Sequence, residues 1–130
     1  MATIFSKIID REIPAHIVAE TDQFLAFLDV NPVSKGHTLV IPKKETDYIF
    51  DMDNEEYAAL MLFAKLVAQA IKKVVPCTKV GIAVVGLEVP HAHVHLVPMN
   101  QVSDMNFSGP RVVMTPEEYA SLAAGIRAAF

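Results

Sequence analysis

The stretch His91-Ala92-His93-Val94-His95-Leu96-Val97-Pro98 decides how this chain is read. Successive side chains of a β-strand point to opposite faces, so positions i, i+2 and i+4 share one face. On that spacing His91, His93 and His95 line up on one side. Ala92, Val94 and Leu96 point to the other, into apolar surroundings. Three of the five histidines of the chain stand in this row. The segment is expected to be a half-buried strand presenting imidazoles. Imidazole, with an ordinary pKa of about 6.5, can serve as nucleophile, base or metal ligand near neutral pH.

Upstream, Val80 to Val85 is a β-rich run, and Gly86-Leu87-Glu88-Val89-Pro90 turns the chain into the histidine strand. So short a connection predicts an antiparallel hairpin. Further back, Asp53 to Lys73 is the longest helix. Asp53 with Glu56 three residues on resembles a capping box, and Lys72 and Lys73 suit the negative end of the helix dipole. Its polar stripe (Lys65, Gln69, Lys72, Lys73) is narrow, and apolar residues cover most of the rest. A helix lying on one face of a sheet needs a narrower apolar stripe than this. Either a second subunit covers the excess or the helix is deeply buried within one subunit.

Toward the N-terminus, His37 to Ile41, closed by Pro42, and Phe24 to Leu28, ending at Asp29, read as strands. Asn31-Pro32 and Lys35-Gly36 supply turn signals between them. His16 to Ala19 is a further short strand, with His16 at the surface. Ile4 to Ile8 is apolar at helical spacing and predicts a short helix before Ile13-Pro14. Downstream, residues 100–114 read as an irregular excursion. Thr115-Pro116-Glu117-Glu118 then begins a terminal helix. Strands paired mostly as hairpins, with helices interspersed, indicate an α+β fold: an antiparallel sheet with a long helix and short terminal helices.

The 130 residues suit one domain, 1–130, with one core. Hydrophobic residues make up 52% and charged residues 20%, the balance of a well-packed protein rather than a disordered one. The net charge of −4 and the scattered basic pairs Lys43-Lys44 and Lys72-Lys73 argue against gripping a nucleic-acid backbone. No apolar run approaches the roughly 20 residues that cross a bilayer. The segment Met1 to Lys7 lacks the basic start and long apolar stretch of a secretion signal. The single cysteine, Cys77, cannot form an internal disulfide and fits a reducing compartment, so a cytoplasmic protein is expected.

A row of three imidazoles supports two kinds of chemistry. Zinc can be held by three histidines with a fourth position open. Yet same-face neighbours on a strand lie about 6.5–7 Å apart at Cα, and the outer pair about twice that, awkward for one ion. Glu88 is the only acidic residue close in sequence. The alternative is nucleophilic catalysis. A neutral imidazole can attack phosphorus and form a covalent phosphoramidate, provided its other nitrogen donates a hydrogen bond that fixes the tautomer. Flanking histidines can then hold phosphate oxygens and assist the leaving group. For this chemistry a row is an advantage.

The pattern His91-Ala-His93-Val-His95-Leu-Val resembles the signature of the histidine triad (HIT) family. Thr3 to Ile9 with Glu12-Ile13-Pro14 resembles that family's N-terminal helix and turn. Phe24 to Pro32 and Gly36 to Lys44 resemble its nucleotide-binding strand and the strand after it. The shared motifs span about residues 3–98, leaving the C-terminal tail and helix, 99–130, uncovered. The pattern is closest to the Hint-like hydrolases. A related uridylyltransferase branch has Gln where this chain has His95.

The resemblance implies a homodimeric α+β fold of HIT type whose sheets join across the dimer, and a purine nucleotide as substrate. It implies attack on the α-phosphate, as in phosphoramidates or dinucleoside polyphosphates. No cofactor, no metal, and no nucleic-acid or membrane partner are expected. Carried over by motif, His93 is the nucleophile, His91 helps hold it, and His95 contacts phosphate or leaving group. His37 matches a fourth histidine that supports the triad. Asp29 accepts hydrogen bonds from the ribose hydroxyls, and Phe5, Ile8, Phe27 and Val30 surround the base.

The chain departs from the family at Gly86-Leu87-Glu88-Val89, where Gly-Gln-Ser/Thr-Val is common. Leu87 cannot donate a hydrogen bond, and an ionised Glu88 repels phosphate. Beside the hydrolase reading therefore stand two others: a purine-nucleotide-binding interaction protein with little turnover, and a three-histidine zinc protein.

Overall fold

In the computed structural model, which describes residues 3–130, five strands form one antiparallel sheet. Met1 and Ala2, the start of the segment read for a leader, lie outside the described residues. The elements follow the order α1 (Ile4–Ile9), β1 (Ile17–Glu20), β2 (Phe24–Leu28), β3 (Thr38–Pro42), α2 (Asn54–Val74), β4 (Lys79–Ala83), β5 (Val94–Met99) and α3 (Pro116–Ala128). Across the sheet the strands run β1-β2-β3-β5-β4. The α+β architecture expected from the sequence is the one observed.

Side-chain alternation assigns the two faces. Phe24, Ala26, Leu28, Val40, Ala92, Val94 and Leu96 point into a core built with α2 and α3. Leu25, Phe27, Leu39 and Ile41 point the other way, against Phe5 and Ile8 of α1. Both faces of β2 and β3 are thus covered, which is why these strands read as unbroken apolar runs. A helix as short as α1 is marginal alone. It is held by its Thr3 cap, which accepts the Ser6 N–H at 3.1 Å, and by burial of Phe5 and Ile8. Each such fully buried side chain contributes about 1.5–3 kcal/mol.

Helix α2 begins where the sequence placed it, with the Asp53 carboxylate accepting the Glu56 N–H at 2.8 Å. Its buried face (Leu60, Phe63, Ala64, Val67, Ala70, Ile71) lies on the sheet and on α3. Leu62 and Leu66, on the opposite side, are exposed. Surplus apolar surface noted in the sequence is therefore on the outside of this chain. Among the described residues no helix is long and apolar enough to cross a membrane.

Two expectations need correction. The histidine strand does not begin at His91: β5 starts at Val94. The His91 N–H turns back to Val89 O at 2.8 Å, and the Ala92 N–H is taken by Thr46 O at 2.6 Å, outside the sheet ladder. Only from Val94, which pairs with Val40, does the backbone join β3. The alternation of faces nevertheless extends back through His91, because Ala92 packs in the α2 core while the His91 and His93 rings contact Phe5 of α1. The second correction concerns His16. It is half-buried rather than on the surface, stacked on Tyr119 of α3 at 5.0 Å between ring centroids and 12° between planes.

Candidate active site

The α1 face of the sheet opens into a cleft of about 450 Å³. Phe5, Ile8 and Phe27 form its apolar wall, and Asp29, His93 and His95 supply polar groups. Val30 stands at the rim, 72% exposed. Seven of the nine residues singled out in the sequence thus line one cavity. The other two, His91 and His37, are fully buried behind it and act on the cleft only through their neighbours.

Hydrogen bonds fix the tautomer of each ring. His93 Nδ1 lies 2.7 Å from the carbonyl oxygen of His91. A carbonyl only accepts, so Nδ1 carries the proton and Nε2 carries the lone pair. His91 thus holds His93 through its backbone, not its imidazole. The His91 ring is engaged elsewhere: Nε2–H donates to Pro42 O at 2.7 Å, and Nδ1 accepts from the Thr3 hydroxyl at 3.3 Å.

His37 follows the same logic with the opposite outcome. The Val33 N–H donates to His37 Nδ1 at 3.1 Å, so the neutral ring carries its proton on Nε2. That Nε2–H donates to His95 Nδ1 at 2.9 Å, which leaves the proton of His95 on Nε2. The two cleft histidines therefore present opposite faces. His93 Nε2 offers a lone pair and His95 Nε2 offers a hydrogen. Neither Nε2 makes a hydrogen bond among the described residues, and no fully buried side-chain nitrogen or oxygen there lacks a partner, so both atoms open to the cleft.

Burial keeps His37, His93 and His95 neutral. It pulls the pKa of His93 below the ordinary histidine value, against the opposing pull of the bond to His91 O and of the Asp29 and Glu88 carboxylates. Burial, with the neighbouring His37, His93 and Arg111 charges, lowers His95 to about 3. His37 is lowered too, chiefly by burial and in spite of Asp29, whose Oδ2 lies 3.6 Å from His37 Nε2. A neutral imidazole is the form that attacks phosphorus.

Metal chemistry fits these residues poorly. His91 uses both ring nitrogens on protein partners, so the three triad rings cannot share an ion. Asp29, His37 and His95 do bring one ligand atom each within 4.8 Å of one another. A metal on His37 Nε2 would require a proton on Nδ1. The Val33 N–H already points at that Nδ1.

Phe107 and Arg111 are among the cleft residues that the sequence reading leaves out. Both come from the excursion after β5, expected only to be irregular. The Phe107 ring packs 4.6 Å from that of His95. A signal for them existed. Arg111 is the sole Lys or Arg between Lys79 and Arg127, and Phe107 is the sole Phe, Tyr or Trp between Phe63 and Tyr119.

Residues 10–102 match the model of the HIT domain. The chain is 34% identical over 128 residues to an adenosine 5'-monophosphoramidase of Schizosaccharomyces pombe, a match covering 97% of this chain and 96% of the relative. Its structure superposes on that of a Hit-like protein of Bartonella henselae with a TM-score of 0.84 and 31% identity, covering 98% of this chain and 96% of the other. A zinc-bound histidine triad family protein of Mycobacterium smegmatis matches with a TM-score of 0.82 and 28% identity, covering 99% and 93%.

Proposed function

The chain belongs to the HIT domain family, and from that premise we propose a nucleotide hydrolase of the Hint-like branch that works through a covalent nucleotidyl-His93. The substrates are purine nucleotide phosphoramidates or dinucleoside polyphosphates. What supports the reading most is the bond from His93 Nδ1 to His91 O at 2.7 Å, which leaves the Nε2 lone pair facing the cleft. In the reaction Nε2 attacks the α-phosphorus, and the P–N or P–O bond to the leaving group breaks. The leaving atom takes the proton of His95 Nε2 as it departs, and the water that attacks next returns a proton to that nitrogen. Water then attacks phosphorus, the P–Nε2 bond breaks, and the nucleoside monophosphate is released. Asp29 is placed to accept from the ribose diol, and Phe5, Ile8, Phe27 and Val30 to enclose the base. The resemblance to an adenosine 5'-monophosphoramidase agrees with this chemistry.

Mass spectrometry under single-turnover conditions with adenosine phosphoramidate tests the proposal. A transient adenylyl adduct on the peptide holding His93 is expected. His93→Ala should show neither adduct nor AMP release, and turnover surviving that substitution overturns the role of His93.

A second reading, nucleotide binding with little turnover, is favoured by Leu87 and Glu88 at the cleft edge, where one side chain cannot donate and the other is anionic. Tight AMP binding with negligible release of product from either substrate class would select it.

The same reading makes the protein a cytoplasmic homodimer in which residues 1–130 form one domain. Strand β4 is an edge of the sheet, and Ile82, Val84 and Val85 are exposed there. Leu62 and Leu66 of α2 are exposed as well. Continuation of the sheet across β4 would cover a row of unpaired backbone groups. The lone Cys77 has no disulfide partner, as suits a reducing compartment.

A further inference from the structure

Residues 100–114 leave the sheet after Met99, pass through a single 3-10 turn at Val102–Met105, and return over the histidines. Main-chain contacts pin the return: the Val112 N–H donates to Pro32 O at 2.8 Å. The Arg111 guanidinium donates to Asn31 O at 3.0 Å and to Phe107 O at 2.5 Å. Both partners are neutral carbonyls. Among the described residues no carboxylate oxygen lies within 4.0 Å of Arg111. A guanidinium has five N–H donors, and these contacts leave several unused.

Among the described residues Arg111 is also the only Lys or Arg lining the cleft, whose other charged groups are Asp29 and Glu88. The cleft histidines are neutral near neutral pH. A substrate phosphate therefore finds one full positive charge here, already fixed in place and without a counter-ion. Phe107, whose carbonyl it holds, packs its ring 5.9 Å from that of His37 and 4.6 Å from that of His95, which puts the guanidinium on their side of the cavity.

We propose that Arg111 binds a substrate phosphate additional to the one His93 attacks, so that the site selects nucleotides bearing at least two phosphates. The inference rests on the nucleotide reading above and narrows it, favouring polyphosphates over phosphoramidates with neutral leaving groups. The second phosphate is either the next in a chain from the α-phosphorus or one on the ribose, and the guanidinium chemistry is the same for both.

Calorimetric binding to the His93→Ala protein separates the possibilities, because that variant cannot consume its ligand. ADP or adenosine 3',5'-bisphosphate is expected to bind about tenfold more tightly than AMP, the gain of a charge-assisted hydrogen bond. ADP showing the gain places the phosphate in the chain, and the bisphosphate showing it places it on the ribose. Adding Arg111→Gln should bring the ratio to about one, and Arg111→Lys should retain part of it. The lysine variant separates loss of charge from loss of folding. AMP binding with no preference for a second phosphate, or a preference that survives Arg111→Gln, overturns this inference and leaves the nucleotide reading standing. Failure to bind any of the three nucleotides overturns both.

Discussion

The Nε2 of His37 lies 2.9 Å from the Nδ1 of His95, and through it the Val33 amide sets which nitrogen of His95 bears a proton. A ring that never reaches the cleft thus determines what the cleft offers. Replacing His37 by Ala should free His95 to adopt either tautomer. We expect kcat to fall about 10- to 100-fold with KM little changed, a part of what positioned acid–base groups contribute. Nitrogen-15 NMR of His95 should show a mixture of tautomers in place of one. An unchanged kcat would mean that His95 is oriented by some other contact.

His37, His93 and His95 also fix a pH dependence. Their native pKa values are depressed, that of His95 to about 3, while in the unfolded chain they return to about 6.5. Below about pH 6.5 the unfolded state then binds more protons than the native state, so stability rises with pH through that range. Their contribution is complete above about 6.5 and is lost progressively as pH falls toward about 3. Urea unfolding followed from pH 4 to 8 should show the midpoint falling only on the acid side. The acid limb of kcat/KM should likewise lie below 6.5, since His93 stays neutral to lower pH than a free histidine.

Thr3 has two tasks, capping α1 and donating to His91 Nδ1. Thr3→Val keeps its shape but removes both bonds. A loss of about 1–2 kcal/mol in chemical denaturation is expected, from a missing cap and an unpaired buried nitrogen. A loss near zero would show that neither bond matters to stability.

The exposed apolar area of β4 and α2 makes a further prediction. A charged residue there, Ile82→Lys or Leu66→Glu, should convert a dimer to a monomer in sedimentation velocity with the far-ultraviolet circular dichroism unchanged. Wild-type protein sedimenting as a monomer would remove the dimer from the proposal.

What could be read from the sequence was whatever depends on short-range pattern. Phe24–Leu28 reads as a strand because its apolar run matches its length, and α2 as a helix because Asp53 and its lysines mark both ends. The start of β5 was misplaced because two long-range events decide it: Thr46 O captures the Ala92 N–H, and β3 offers no partner before Val94. His16 looked superficial for the same reason, since the ring that covers it is Tyr119, more than a hundred residues away. Nor could spacing show that Phe107 and Arg111 return to the cleft. That depends on Val112 meeting Pro32, a contact no local pattern encodes. The row of histidines announced its chemistry, whereas the difference between its members lies in backbone atoms that a sequence does not display.

Those backbone atoms bear on how this centre tolerates mutation. Every residue has a carbonyl, so no substitution at position 42 can remove the acceptor that holds the His91 ring, provided the chain keeps its path. Every residue but proline has an N–H, so at position 33 proline alone removes the donor to His37. What these positions contribute is backbone, so the protonation pattern of the rings persists through any substitution there that the packing accepts. Sequence divergence around the centre is therefore a poor measure of whether its chemistry survives.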